Sequence, residues 1–209
     1  EAGAARRKQP NLSYSYDMLG EGARTDADAL QYQASYQSAI KKIAEKVHTT
    51  LGTERNDGIS IKLSALHPRY ESAQHERVLR ELVPRVWSLC ELAARANISL
   101  TIDAEEVDRL ELSLDVFEAL ADHVAATAPQ WTGFGLAIQS YQTRAREMID
   151  AVAAIGRARG LRFMVRLVKG AYWDGEIKRA QELGLPAYPV FTHKHHTDVS
   201  YLACARALL

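Results

Sequence analysis

A β/α barrel is the fold class this sequence predicts, and three observations point to it. Along the 209 residues, stretches with strand character alternate with stretches of helical periodicity. That rhythm makes parallel strands joined by helical crossovers. Each strand candidate also has one strongly apolar face. Its other face is small or polar and carries an ionisable or amide group towards its C-terminal end. A doubly wound sheet, covered by helices on both sides, should be apolar on both. A barrel instead turns one face to helices and gathers the C-terminal residues of several strands at a common mouth.

Strands are expected at 12–18, 59–63, 98–103, 134–139, 162–168 and, on a weaker signal, 188–192. Helices are expected at 26–47, 74–96, 107–127, 141–158, 174–183 and 197–209. In the first strand Ser13, Ser15 and Asp17 oppose Leu12, Tyr14 and Tyr16. Thr25 is a suitable N-cap for the first helix, where Tyr32, Tyr36, Ile40, Ile43 and Val47 recur at helical spacing. The glycine-bearing stretch 49–58 reads as a loop. Ser60, Lys62 and Ser64 then oppose Ile59, Ile61 and Leu63. The second helix carries Val78, Leu82, Val86, Leu89 and Ala93 on one stripe, and Pro84 inside it predicts a kink or break. Ser99, Thr101 and Asp103 oppose Ile98, Leu100 and Ile102. Gly135, Ala137 and Gln139 oppose Phe134, Leu136 and Ile138. Met164, Arg166 and Val168 oppose Phe163, Val165 and Leu167. These are six strand–helix units in one domain, 12–209, after a segment, 1–11, expected to be flexible.

Bulk properties narrow the function classes. Hydrophobic residues make up 47% and charged residues 25%, a soluble globular balance. The formal net charge is zero, which argues against a nucleic-acid surface spread over the whole chain. No apolar run approaches the roughly 20 residues of a membrane span, and the N-terminal residues do not read as a secretory signal. Cys90 and Cys204 suggest neither a disulfide framework nor a metal knuckle, and a reducing compartment is the expectation.

The mouth of such a barrel would hold Asp17 or Glu21 with Lys62, Asp103, Gln139, Arg166 and Lys169. Mixed charges of this kind can pair with one another and with a zwitterionic or carboxylate ligand. The run RLVKGAYWDGEIKRAQ, 166–181, is the sharpest signal. Cations at the end of an apolar strand are costly unless something anionic meets them. Of the acids in IDAEEVDRLE, only Asp103 lies on the inner face; Glu105, Glu106 and Asp108 read as acids complementing the start of a helix. The run His193, Lys194, His195, His196 lacks the partners of a metal site. Gly20-Glu21-Gly22 is not a dinucleotide fingerprint. Ser60 and Ser64 have no attendant histidine for nucleophilic hydrolysis. Trp87, Tyr32 and Tyr36 read as core. From the residues alone, a lyase or aldolase using Lys62 or Lys169 as a Schiff base stays open, as does a non-catalytic fragment.

The runs SYDMLGE (15–21), GISIKLSALHPRYE (58–71), IDAEEVDRLE (102–111), LAIQSYQTRA (136–145), RLVKGAYWDGEIKRAQ (166–181) and TDVSYLACARALL (197–209) resemble the proline dehydrogenase domain of bacterial proline utilization A flavoenzymes. The resemblance implies a distorted (β/α)8 barrel, represented here by about six of its units. It implies FAD as cofactor and oxidation of L-proline to Δ1-pyrroline-5-carboxylate by hydride transfer from proline C5 to flavin N5. Electrons then pass to a membrane quinone.

Residue by residue, the resemblance places Arg166 near flavin N5 as a catalytic residue, with Asp103 supporting the network between flavin and substrate. Lys62 would hold the proline carboxylate, Asp103 and Ala104 would line the substrate site, Tyr172 would wall it, and Glu21 would pair with a gating arginine. Gln139, Arg166, Val168, Gly170, Ala171, Trp173, Thr192 and Lys194 would bind the cofactor, with Gly170 and Ala171 small so that the backbone approaches it. His193 stands where the family often has arginine. The family's gating arginine and its pair of substrate arginines have no counterpart here, which predicts an incomplete barrel that is inactive alone. The resemblance also implies an aldehyde dehydrogenase module in the parent polypeptide, DNA binding only through a separate domain, and a cytoplasmic enzyme peripherally associated with the inner membrane when reduced. Homo-oligomerisation is left open.

Overall fold

A computed structural model describes residues 12–18, 20–47, 50 and 52–209. The segment 1–11 lies outside the described residues. Five parallel strands form one sheet: β1 (Ser15–Asp17), β2 (Gly58–Ile61), β3 (Leu100–Ile102), β4 (Phe134–Gln139) and β5 (Met164–Val168). Their order in the sheet is their order in the chain. Right-handed crossovers that never reverse direction put every helix on the same side, so the sheet curls as a half-barrel rather than a doubly wound sandwich.

The register confirms the two faces. Asp17 pairs with Ser60, Ser60 with Thr101, Thr101 with Gly135, and Gly135 with Met164. Tyr16, Ile59, Leu100 and Phe134 form the neighbouring row, which points the other way because side chains alternate along a strand. That apolar side packs on helices α1 (Asp26–Ala44), α2 (His75–Arg95), α3 (Leu110–Thr127), α4 (Ala145–Arg159) and α6 (Lys194–Leu208), while the short α5 (Trp173–Glu182) contributes nothing to that core. One core cluster joins Ile59, Ile61, Leu100, Ile102, Phe134 and Leu136 to the helical stripe of Val78, Leu82, Val86, Leu89 and Ala93. Phe117 of α3 stacks on Phe134 at 4.8 Å and meets Phe163 edge-on at 4.8 Å. Thr25 caps α1 in a full capping box with Asp28.

Three expectations change. The segment 188–192 is not a sixth strand: Val190 makes a single antiparallel bridge to Gln142. Pro186 and Pro189 have no N–H to give a parallel ladder, and the Pro189 carbonyl instead accepts from the Thr143 amide at 3.0 Å. Helix α2 runs through Pro84 without a break. Pro84 is exposed, so the carbonyl it leaves without a donor, that of Arg80, lies on the solvent side, where water serves it. Helix α4 starts at Ala145 rather than 141 because the backbone before it is already used. The Tyr141 amide donates to Lys169 O at 2.7 Å and its carbonyl accepts from Phe191 N at 2.8 Å. The remaining elements agree with the expected ones to within a few residues.

The loop after β2 is anchored by His67, whose side chain is fully buried. Its Nδ1 accepts from the Arg69 amide at 3.1 Å, which puts the proton on Nε2, 3.2 Å from the Glu81 carboxylate. Burial holds the imidazole pKa below its ordinary value despite Glu81, with Arg85 and Arg77 adding to the depression. The fold therefore favours the neutral ring, while the unfolded chain takes up a proton near pH 6.5. His67 should contribute stability that is complete above that pH and is lost as pH falls below it. Denaturation midpoints measured between about pH 7 and pH 5.5 should slope downward, and His67→Asn, which keeps an acceptor for Arg69, should flatten part of that slope. Equal slopes in the two proteins would refute the assignment.

Candidate active site

On the inner face the strand ends build a ladder of alternating charge. Lys62, just past β2, places Nζ 3.1 Å from Asp17 at the end of β1 and 3.2 Å from Asp103 just past β3. Arg166 of β5 closes the ladder with an ion pair to the other oxygen of Asp103. Its second terminal nitrogen donates to Ser60 Oγ at 2.7 Å, and Ser60 Oγ lies 3.0 Å from Ser15 Oγ. Arg166 can cross β4 because its register partner there is Ala137, one residue pair beyond Gly135. A larger side chain at 137 would stand in its path. Asp103 is the best-buried member, with 10% of its side chain exposed against 40% for Arg166.

Two acids and two bases cancel, so the ladder is neutral and can meet a neutral zwitterion without stranding a charge. Burial alone would lower the Lys62 pKa, but Asp17 and Asp103 outweigh it and hold it above the ordinary value. Lys169 is likewise raised, by Asp198 first. A Schiff-base lysine must reach its neutral amine, and neither lysine is placed to do so.

The other sequence-predicted residues spread along the mouth. Asp17, not Glu21, joins the ladder. Glu21 instead lies 3.4 Å from the Tyr172 hydroxyl. Burial and the Glu21 charge push that phenol upward. Ala104 follows Asp103 into a small cavity beside β4. Val168 pairs with Gln139 on the inner face. Gln139 is buried, donating from Nε2 to the Glu105 carbonyl at 2.9 Å and accepting at Oε1 from the Ala171 amide at 2.9 Å. Trp173 donates to the Phe191 carbonyl at 2.8 Å while much of its ring stays exposed. Thr192 and Lys194 line an open groove of about 500 Å³ with Tyr141, Lys169, Gly170, Trp173, Asp174 and Thr197.

Three sequence readings are revised here. Lys169 has a protein counter-ion: Asp198 of α6 pairs with it and with Lys194, the latter at 2.7 Å. Held between two ammonium groups, Asp198 has its pKa drawn down to about 2. Gly170 is small first of all because its φ is +147° and a Cβ there would sit 2.4 Å from the Tyr141 ring. Glu105 is also no helix-start acid. It is buried, accepts from the Ser64 amide at 3.0 Å and pairs with Arg109 at 3.2 Å. Nothing in the sequence separates Glu105 from its acidic neighbours. Asp198, four residues after Lys194, carried a readable signal as an i,i+4 pair. Among the described residues no cluster of His, Cys, Asp or Glu could hold a metal.

A family model described as proline dehydrogenase matches residues 1–209. The chain belongs to the proline dehydrogenase family. It is 53% identical over 208 residues to the bifunctional protein PutA of Salmonella typhimurium, covering all of this chain and 16% of that protein. It is 50% identical over 200 residues to the PutA of Rhizobium meliloti, covering 96% of this chain and again 16% of the relative. A crystal structure of Bradyrhizobium japonicum proline utilization A superposes with a TM-score of 0.89 at 53% identity, over 98% of this chain and 21% of that one. The chain thus spans a minor part of the proteins it matches.

Gly170→Ala should cost about 1–3 kcal/mol in denaturant unfolding, because it meets both a positive φ and an aromatic ring. Tyr141→Leu in the same chain should recover only the part due to the ring. A Gly170→Ala protein as stable as wild type would show that the turn is not held this way.

Proposed function

We propose that this chain carries the L-proline-oxidising site of an FAD-dependent proline dehydrogenase, making Δ1-pyrroline-5-carboxylate. The neutral Asp17–Lys62–Asp103–Arg166 ladder at the mouth of a half-barrel is the observation that carries the reading. Oxidation removes a hydride from C5 of proline and a proton from its nitrogen, leaving a C=N bond.

The residues fit the cofactor. The groove beyond β5 brings two ammonium groups and Thr192 together, a donor set suited to a phosphate-bearing group. Tyr141 on its wall has a buried hydroxyl with no well-formed hydrogen bond. Lys194, Thr192 and Lys169 would hold the phosphate-bearing part, and Val168, Gly170, Ala171 and Trp173, with Gln139 on the Ala171 amide, the ring-bearing part. When bound, FAD supplies the acceptor for the hydride. Arg166 lends positive charge where electron density accumulates. Lys62 binds the substrate carboxylate, drawing charge that Asp17 and Asp103 share in its absence. Tyr172 closes one wall, with Glu21 behind it, and Ala104 leaves room beside Asp103.

The wider reading includes a quinone as electron acceptor at the membrane surface and a cytoplasmic location. An aldehyde dehydrogenase module in the same polypeptide is supported by relatives named bifunctional and far longer than this chain. No helix among the described residues is long and apolar enough to cross a membrane.

The test is the visible spectrum of the natural polypeptide that carries this segment: a flavin band that L-proline bleaches. A colourless protein, or a band indifferent to proline, would sink the reading. Lys62→Ala should weaken proline and carboxylate inhibitors by about 1.5–3 kcal/mol, the worth of a charge-assisted hydrogen bond. Unchanged inhibitor affinity would make Lys62 a bystander. Arg166→Met should slow the bleaching and lower the flavin potential, read by stopped flow and potentiometry. Normal values for both would remove Arg166 from the chemistry.

A further inference from the structure

Beside the charged ladder runs a second line of contacts that ties together the loops after β1, β2, β3 and β5 and the end of β4. The Gly22 amide, after β1, donates to Ser64 Oγ at 3.2 Å, and the Ala23 amide to the Ser64 carbonyl at 2.8 Å. The Ser64 amide, after β2, donates to Glu105 Oε1 at 3.0 Å. The Glu105 carbonyl, after β3, accepts from Gln139 Nε2 at 2.9 Å, and Gln139 Oε1, at the end of β4, accepts from the Ala171 amide after β5 at 2.9 Å. Ser64, Glu105 and Gln139 are each buried, at 3%, 8% and 2% exposure. Apart from the backbone contact of Ala23 with Ser64, each link pairs a backbone group with a side chain of a neighbouring element, and each loop also bears a member of the site or adjoins one. Ser64 lies two residues from Lys62, Glu105 two from Asp103, and Ala171 one from Tyr172.

Glu105 is the middle member of this belt. Its carboxylate reaches the loop after β2 and its carbonyl reaches β4. Arg109 holds the remaining carboxylate oxygen from the turn that follows, at 3.2 Å. Removing the side chain would leave the Ser64 amide buried without an acceptor and would free the β2 loop from the β3 loop. Lys62 and Asp103 ride on those two loops, 3.2 Å apart. A shift of under an ångström there matters for a carboxylate that must be held at a set distance from the hydride acceptor.

We propose that Glu105 is a positioning residue for substrate: it sets the spacing of Lys62 and Asp103 through the Ser64 amide without touching proline. The proposal rests on the proline-oxidising reading, and its test separates the two. In the natural polypeptide, Glu105→Ala should raise the KM for proline about tenfold, as expected for loss of one charge-assisted hydrogen bond from the network. Cofactor content and the kcat of the loaded enzyme should change much less. Glu105→Gln, which keeps an oxygen for Ser64, should restore KM to near the wild-type value. Amide hydrogen exchange reads the belt without any activity: Ser64 should lose protection in Glu105→Ala and keep it in Glu105→Gln.

If wild type itself fails to oxidise proline, the functional reading falls, and exchange at Ser64 still decides whether the belt exists. If Glu105→Ala loses stability or flavin while the loaded fraction keeps a normal KM, Glu105 is only structural and the proposal is wrong. The proposal is equally overturned if Gln fails to rescue KM while preserving protection of Ser64.

Discussion

The site depends on one carboxylate. Asp103 is nearly buried and serves Lys62 with one oxygen and Arg166 with the other. A buried carboxylate without such partners would be driven to take up a proton or would destabilise the fold by several kcal/mol. Its two cations come from β2 and β5, on opposite sides of it in the sheet. The electrostatic requirement of a single side chain thus draws the inner face together across three strand intervals, and the curl of the sheet is what lets Arg166 reach back that far.

Small residues make the reach affordable in space. Gly135 and Ala137 clear the inner face of β4, and a Cβ at Gly135 would stand 1.9 Å from the Met164 carbonyl. The outer face does the opposite, filling every position with large apolar side chains against helices. One strand therefore plays two roles by its period of two: packing outward, clearance inward. The helices need no functional residues of their own for this, except where side chains of α5 and α6 meet the loops of the mouth. There Glu176 accepts from the Val107 amide at 2.7 Å, and Asp198 bridges Lys169 and Lys194.

Charge is organised in layers. At the ladder, acids and bases balance. Beside it, the Ser64–Glu105–Gln139–Ala171 belt consists of contacts between side chains and backbone, buried except at exposed Ala171, with Arg109 offsetting the one carboxylate. Burial raises the Glu105 pKa, and the Ser64 amide, with Arg109, works against that rise. Outside both layers, the groove of Lys169, Thr192 and Lys194 is open to solvent, and its ion pairs are of the exposed kind that a ligand can displace at little cost.

Much of this was legible in the residues. Alternation along five strands determined both faces of the sheet, and the register agrees row by row. The helical stripe of α2 was visible and is fully buried, and the ladder members could be named because Asp17, Lys62 and Asp103 end their inner rows and Arg166 is a cation within one. These are local properties: periodicity and the chemistry of a residue at a strand end do not depend on distant parts of the chain. What tertiary structure alone decided depends on who sits opposite. It chose Asp17 over Glu21, gave Lys169 its counter-ion 29 residues away, kept α2 whole through Pro84 because that face meets water, and denied a strand to 188–192, whose Pro189 lacks the donor a ladder needs. It set Gly170 against Tyr141, and it turned Glu105 from one acid among four into the buried link between loops. No one-dimensional pattern marks such residues, because burial and partner are relations between segments brought together only when the sheet curls.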